Sequence, residues 1–81
     1  MGPSRGLTHR DRAILRAVAG GSAQLVISSE PDLYLDGRCC SDQLAARRLA
    51  HAGLIAPAAP AATGQRVPAT LTPAGRRLLA S

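Results

Sequence analysis

LAARRLAHAGLI (Leu44–Ile55) and RVPATLTPAGRRLL (Arg66–Leu79) stand ten residues apart, joined by the Ala/Pro/Gly-rich stretch APAAPAATGQ. The first reads as an amphipathic helix. At about 100° per residue, Ala45, Leu49 and Ala52 form an inner stripe, while Gln43, Arg47 and His51 point the other way. Ser41 or Asp42 supplies the N-cap and Gly53 the C′ stop, after which Leu54-Ile55 opens a short apolar strand. The second stretch begins as the partner strand, RVPATL, in which Pro68 implies an edge position or a bulge. Thr72 as N-cap and Pro73 at N1 then start a last helix, with only Ala74–Ala80 left to run.

Working outward towards the N-terminus, LTHRDRAILRAVAGG reads as an opening helix. Thr8 is its N-cap, Asp11 at N3 makes a variant capping box, and Leu7 is placed as a hydrophobic staple. Ile14, Leu15 and Val18 share one face, and Gly20-Gly21 ends the run. Met1–Gly6 is a Gly/Pro/Ser/Arg leader, expected to be loosely held. Between Ala23 and Leu35 the pattern changes to short β-branched or alternating runs, QLVIS and LYLDG, around the turn signal Ser-Glu-Pro-Asp. A two-stranded hairpin follows from this; an alternative reading uses Asp36-Gly37 as a tight turn returning into RCC. The whole is a small α+β domain over residues 7–81, without internal repeats.

With 81 residues, eleven Leu, three Ile, three Val, no Phe, no Trp and one Tyr, the core is thin. A domain of this size buries roughly 60% of its unfolded surface, so either marginal stability or help from a second subunit, in a homodimer, is expected. All ten basic side chains are Arg, and their placement is uneven. Residues 1–21 carry four Arg against Asp11, residues 22–42 carry Arg38 against Glu30, Asp32, Asp36 and Asp42, and from Gln43 onward five Arg stand unopposed. The ends are basic and the middle is acidic, a pattern that suits a polyanionic partner.

No apolar run approaches the ~20 residues that span a bilayer, and no signal-peptide core is present. A cytoplasmic location away from membranes is the expectation. Cys39 and Cys40 are adjacent, with Cα atoms about 3.8 Å apart across a trans peptide, too close for an ordinary disulfide. Their position ahead of a helix N-terminus allows a thiol-based sensor, against the plainer reading of two small buried hydrophobes. Neither C-x-x-C spacing nor flanking His suggests zinc, and no metal or cofactor is expected. The absence of a Walker loop, GxGxxG, HExxH or GxSxG argues against an enzyme. A single Tyr is too little for a single-strand stacking platform.

RRLAHAGLI resembles the end of the recognition helix in winged helix-turn-helix transcriptional regulators of the MarR and ArsR type. LTPAGRRLL is similar to the segment that closes the wing in MarR-type proteins, and LTHRDRAILRAVA resembles their opening helix. Together these matches cover about half the chain. The resemblance implies a winged-helix domain that binds double-stranded DNA and regulates transcription, with Ser41–Ala52 as recognition helix and Leu54–Leu71 as wing. Gln43, Arg47 and His51 would then face the major groove, Arg48, nearer the core edge of the wheel, would be a further DNA contact, and Arg66, in the wing, would meet the backbone or minor groove. Arg and Gln suit this role because they bind guanine and adenine edges in bidentate fashion. Backbone N–H groups at Ser41-Asp42 would meet a phosphate, with Asp42 in opposition. The chain departs from the family in one place: the helix that normally precedes the recognition helix is replaced by the strand-like, Pro-interrupted Ser22–Cys40. An acidic hairpin there gives an alternative function, a protein-protein interaction module with that hairpin as the partner surface.

Overall fold

A computed structural model describes residues 7–81; the leader Met1–Gly6 lies outside them. The chain runs α1 (His9–Ala19), β1 (Ala23–Val26), β2 (Leu33–Leu35), β3 (Arg38–Cys39), α2 (Gln43–His51), β4 (Ile55–Pro57), β5 (Arg66–Leu71) and α3 (Pro73–Ala80). It is an α+β domain of three helices on a five-stranded antiparallel sheet of order β3-β2-β1-β5-β4.

The helices start and stop where short polar side chains satisfy backbone groups. Thr8 accepts from the Asp11 amide at 3.0 Å while the Asp11 carboxylate accepts from the Thr8 amide at 3.2 Å, closing the capping box. Asp42, rather than Ser41, caps α2 by accepting from the Ala45 amide. At the other end of α2, Gly53 takes φ 79°, and the Leu54 amide donates to the Leu49 carbonyl and the Gly53 amide to that of Ala50. These two bonds are the Schellman pair that satisfies otherwise orphaned carbonyls. Thr72 caps α3 through the Gly75 amide, and its own hydroxyl donates to the Gly53 carbonyl at 2.6 Å.

Both turn readings in the first half are realised. β1 and β2 form the hairpin, and Asp36-Gly37, both at positive φ, make the tight turn into β3. No helix lies between Ser22 and Cys40. Pro68 is a correction. It sits in β5, between β1 and β4, and is not on an edge. Its carbonyl accepts from Ala58, one residue beyond the end of β4. The N–H that Pro lacks would point the same way, past the last ladder bond of β4, so one bond is lost at a strand end rather than in mid-sheet.

Leu15, Leu33 and Val18 are the most deeply buried large side chains, and each contributes roughly 1.5–3 kcal/mol on leaving water. Ile14, Leu25, Ala45, Ala46, Leu49, Ile55 and Leu71 complete the layer between sheet and helices. In α2 the inner stripe is Ala45, Ala46 and Leu49, whereas Ala52 is exposed. The helix is therefore turned by roughly 40° from the sequence expectation, at 100° per residue. The stretch APAAPAATGQ is also ordered locally. The Gln65 side chain accepts from the Ala62 amide, the Gly64 amide donates to the Ile27 carbonyl and the Ile27 amide to that of Gln65. No helix among the described residues is long and apolar enough to cross a membrane.

Candidate nucleic-acid interface

The turn of α2 follows from what its polar residues bond. Gln43 does not face outward. Its Oε1 accepts from the Leu33 amide at 2.9 Å, and its Nε2 lies within 3.0 Å of the Leu33 and Cys40 carbonyls and Cys39 Sγ. The side-chain amide thus acts as an extra peptide at the β3 edge, satisfying backbone groups beyond the two-residue strand. This corrects the expected orientation of Gln43.

Arg47 is also drawn sideways. Its Nη2 meets Asp32 Oδ1 at 2.6 Å, with the side chains 32% and 40% exposed, and its Nε is buried without a partner. One turn on, His51 Nε2 lies 2.9 Å from the Ser29 carbonyl and 3.7 Å from Glu30 Oε2. The acidic β1–β2 loop folds onto this flank of α2, so Glu30 and Asp32 face basic side chains of their own chain.

What α2 presents to solvent is a different stripe: Leu44, 76% exposed, Arg48, and the outer edge of His51. Arg48 reaches Asp11 at 3.3 Å, yet its side chain is 65% exposed while that of Asp11 is 10% exposed. The capping box fixes the carboxylate, and the guanidinium lies over it from outside. Of the residues expected to read DNA, Arg48 and His51 share this exposed stripe, Arg47 borders it, and Gln43 is turned away.

Arg66 lies apart from them. It opens β5, opposite Val26 of β1, and folds back across the open sheet face. Its guanidinium carbon stands 3.9 Å from the centre of the Tyr34 ring, and its Nε donates to Gln24 Oε1 at 2.9 Å. The cation–π contact and the Nε bond both restrain the guanidinium. Residues 58–65 of the β4–β5 loop carry no charge.

At the start of α2, Arg10 Nη1 meets Asp42 Oδ2 at 2.9 Å. The Ala45 amide and then Arg10 hold the Asp42 carboxyl below the usual range, and the hydrogen bond that Arg10 donates to Asp42 raises Arg10. Because Asp42 takes the Ala45 amide, that donor of the helix N-terminus is not open to a phosphate. Cys39 is exposed and Cys40 buried, so only Cys40 fits the buried-hydrophobe reading. No cluster of three metal-ligating side chains occurs among the described residues.

Three of the five acidic side chains, Asp11, Asp32 and Asp42, are thus paired with arginines of their own chain, Glu30 lies 3.7 Å from His51, and Asp36 has no basic partner among the described residues. Arg16, Arg38, Arg66, Arg76 and Arg77 make no ion pair among the described residues, and Arg12 instead bonds the Leu79 and Ser81 carbonyls at the end of α3. Sequence reasoning passed over Leu44 and Arg38. The Asp36-Gly37 turn was the available signal for Arg38, since a two-residue turn places it opposite Leu35. No family model matches the chain, and neither a curated protein nor a solved structure matches it.

Proposed function

We propose that the protein is a winged-helix module that binds double-stranded DNA, most simply as a transcriptional regulator, with the exposed stripe of α2 as its reading surface and the β4–β5 hairpin as its wing. The observation that carries this reading is the combination in α2 of an outward Leu44–Arg48–His51 stripe with a charge distribution in which Asp11, Asp32 and Asp42 are paired internally. Arg48 is placed to bind guanine O6 and N7, and Leu44 offers an apolar contact to a thymine methyl. The unpaired arginines supply phosphate neutralisation. Arg66, over the Tyr34 ring, is the backbone contact at the loop end of the wing. A homodimer belongs to the proposal, supported by the thin core.

Gln43 is left out of the reading set because its amide is consumed by β2. Arg47 is a reserve cation, available to phosphate only when Asp32 releases it. The test is fluorescence anisotropy of labelled duplexes at rising salt. Binding should weaken with a log–log slope of about −0.9 for each phosphate neutralised. No duplex binding at low salt, with the fold intact, would remove the proposal.

A further inference from the structure

A second site lies on the other side of the Asp42 cap. Between α1, the β2–β3 turn and the start of α2 there is an open cleft of about 600 Å³, within the size range of small-molecule sites. Its apolar lining comes from Ala13 and Ile14 of α1, Leu35 of β2 and Cys40, and its polar lining includes Arg10, Arg38 and Asp42.

Arg38 is the member that the fold does not otherwise use. It pairs with Leu35 across the β2–β3 ladder, and residues opposite each other share a face of the sheet. Its stem therefore runs beside the Leu35 side chain, with the guanidinium free at the rim. No acidic group pairs with it among the described residues. Arg10 stands in the same lining, bound to Asp42 by one of its nitrogens. Two guanidinium groups against one carboxylate leave the cleft with a net positive charge above an apolar floor.

We propose that this cleft binds a small organic carboxylate with a short alkyl chain. Arg38 takes the carboxylate through its planar pair of donors, the geometry that favours Arg over a point charge. The hydrocarbon lies on Ala13, Ile14 and Leu35. A cation is repelled by the two arginines, and a neutral alcohol leaves Arg38 without its counter-ion. An occupant that attracts Arg10 weakens the hold on Asp42, so occupancy is felt at the first turn of α2 through the Ala45 amide. Carboxylate binding in this cleft is independent of DNA.

The experiment is an NMR titration of the full chain with hexanoate, hexanol and hexylammonium in parallel. Hexanoate is expected to shift the amides of Ala13, Ile14, Leu35 and Ala45 saturably, and the other two to leave them in place. Arg38→Gln should weaken hexanoate binding about tenfold or more, with the spectrum otherwise unchanged. Ala13→Leu, at an exposed helical position, should fill the cleft and abolish the shifts while retaining the fold. Equal binding of hexanol or hexylammonium, shifts confined to other surfaces, or wild-type affinity in Arg38→Gln would each overturn the assignment.

Discussion

Gly75 of α3 lies directly on the backbone of Leu54, so close that a Cβ at position 75 would overlap the Leu54 carbonyl. The two stretches that frame the fold are locked at this contact and at the neighbouring bond from Thr72 Oγ1 to the Gly53 carbonyl. The obstacle is backbone rather than a flexible side-chain tip, so the strain has no easy outlet. Gly75→Ala is therefore expected to destabilise the domain by about 1–3 kcal/mol, the usual cost of overpacking, despite the better helix propensity of Ala. Chemical denaturation of the two proteins checks this, and an unchanged or raised midpoint would show that α3 can shift away from Leu54.

The capping box of α1 gives a second expectation. Thr8→Ala removes an acceptor for the Asp11 amide and should cost roughly 0.5–2 kcal/mol. Asp11 should also become less fixed beneath Arg48. Thermal unfolding followed by circular dichroism measures the first effect.

Asp32 restrains Arg47, and its removal separates stability from binding. Because both side chains are partly exposed, Asp32→Asn should change stability by no more than about 1 kcal/mol. In the DNA-binding account it should strengthen duplex affinity, by about two- to fivefold if the released interaction is that of an exposed pair. Anisotropy titrations of both proteins at one salt concentration decide the matter. Weaker binding in the variant would mean that Asp32 holds Arg47 where DNA needs it.

Asp42 links α2 to pH. Its folded pKa is depressed, first by the Ala45 amide and then by Arg10. Its contribution is accordingly present above the unfolded value near ~3.9 and is lost as pH falls through the lower folded value. Asp42→Asn keeps an N-cap acceptor but has no carboxyl to titrate, so its stability should depend less steeply on pH below about 4. Parallel acid titrations by circular dichroism provide the comparison, and identical slopes would mean that Asp42 is not the linked group.

Much of the fold was legible because the punctuation is local. Thr8 with Asp11, Gly53 after α2, and Thr72-Pro73 before α3 each satisfy backbone groups within four residues, and each stands where its pattern places it. The Asp36-Gly37 turn belongs to the same class. The candidate site was less legible because it depends on bonds across long sequence distances. Gln43 and Arg47 look like free polar residues on a helical wheel, but the wheel cannot show the Leu33 amide left without a strand partner or Asp32 arriving from a folded-back loop. Those two attachments rotate α2 and exchange Ala52 for Ala46 in the core. Pro68 was misplaced for a related reason: edge status depends on which strand lies alongside, and here the neighbouring ladder simply ends.

The central claim is that the Arg48 stripe of α2 meets DNA, and the most direct measurement is the salt dependence of duplex binding for wild type beside Arg48→Ala. Loss of Arg48 should weaken binding to a preferred sequence by ~1–3 kcal/mol while leaving the salt slope nearly unchanged, as befits a base contact. Arg66→Ala should instead reduce the slope by about 0.9. Wild-type affinity and an unaltered sequence preference in folded Arg48→Ala would contradict the account.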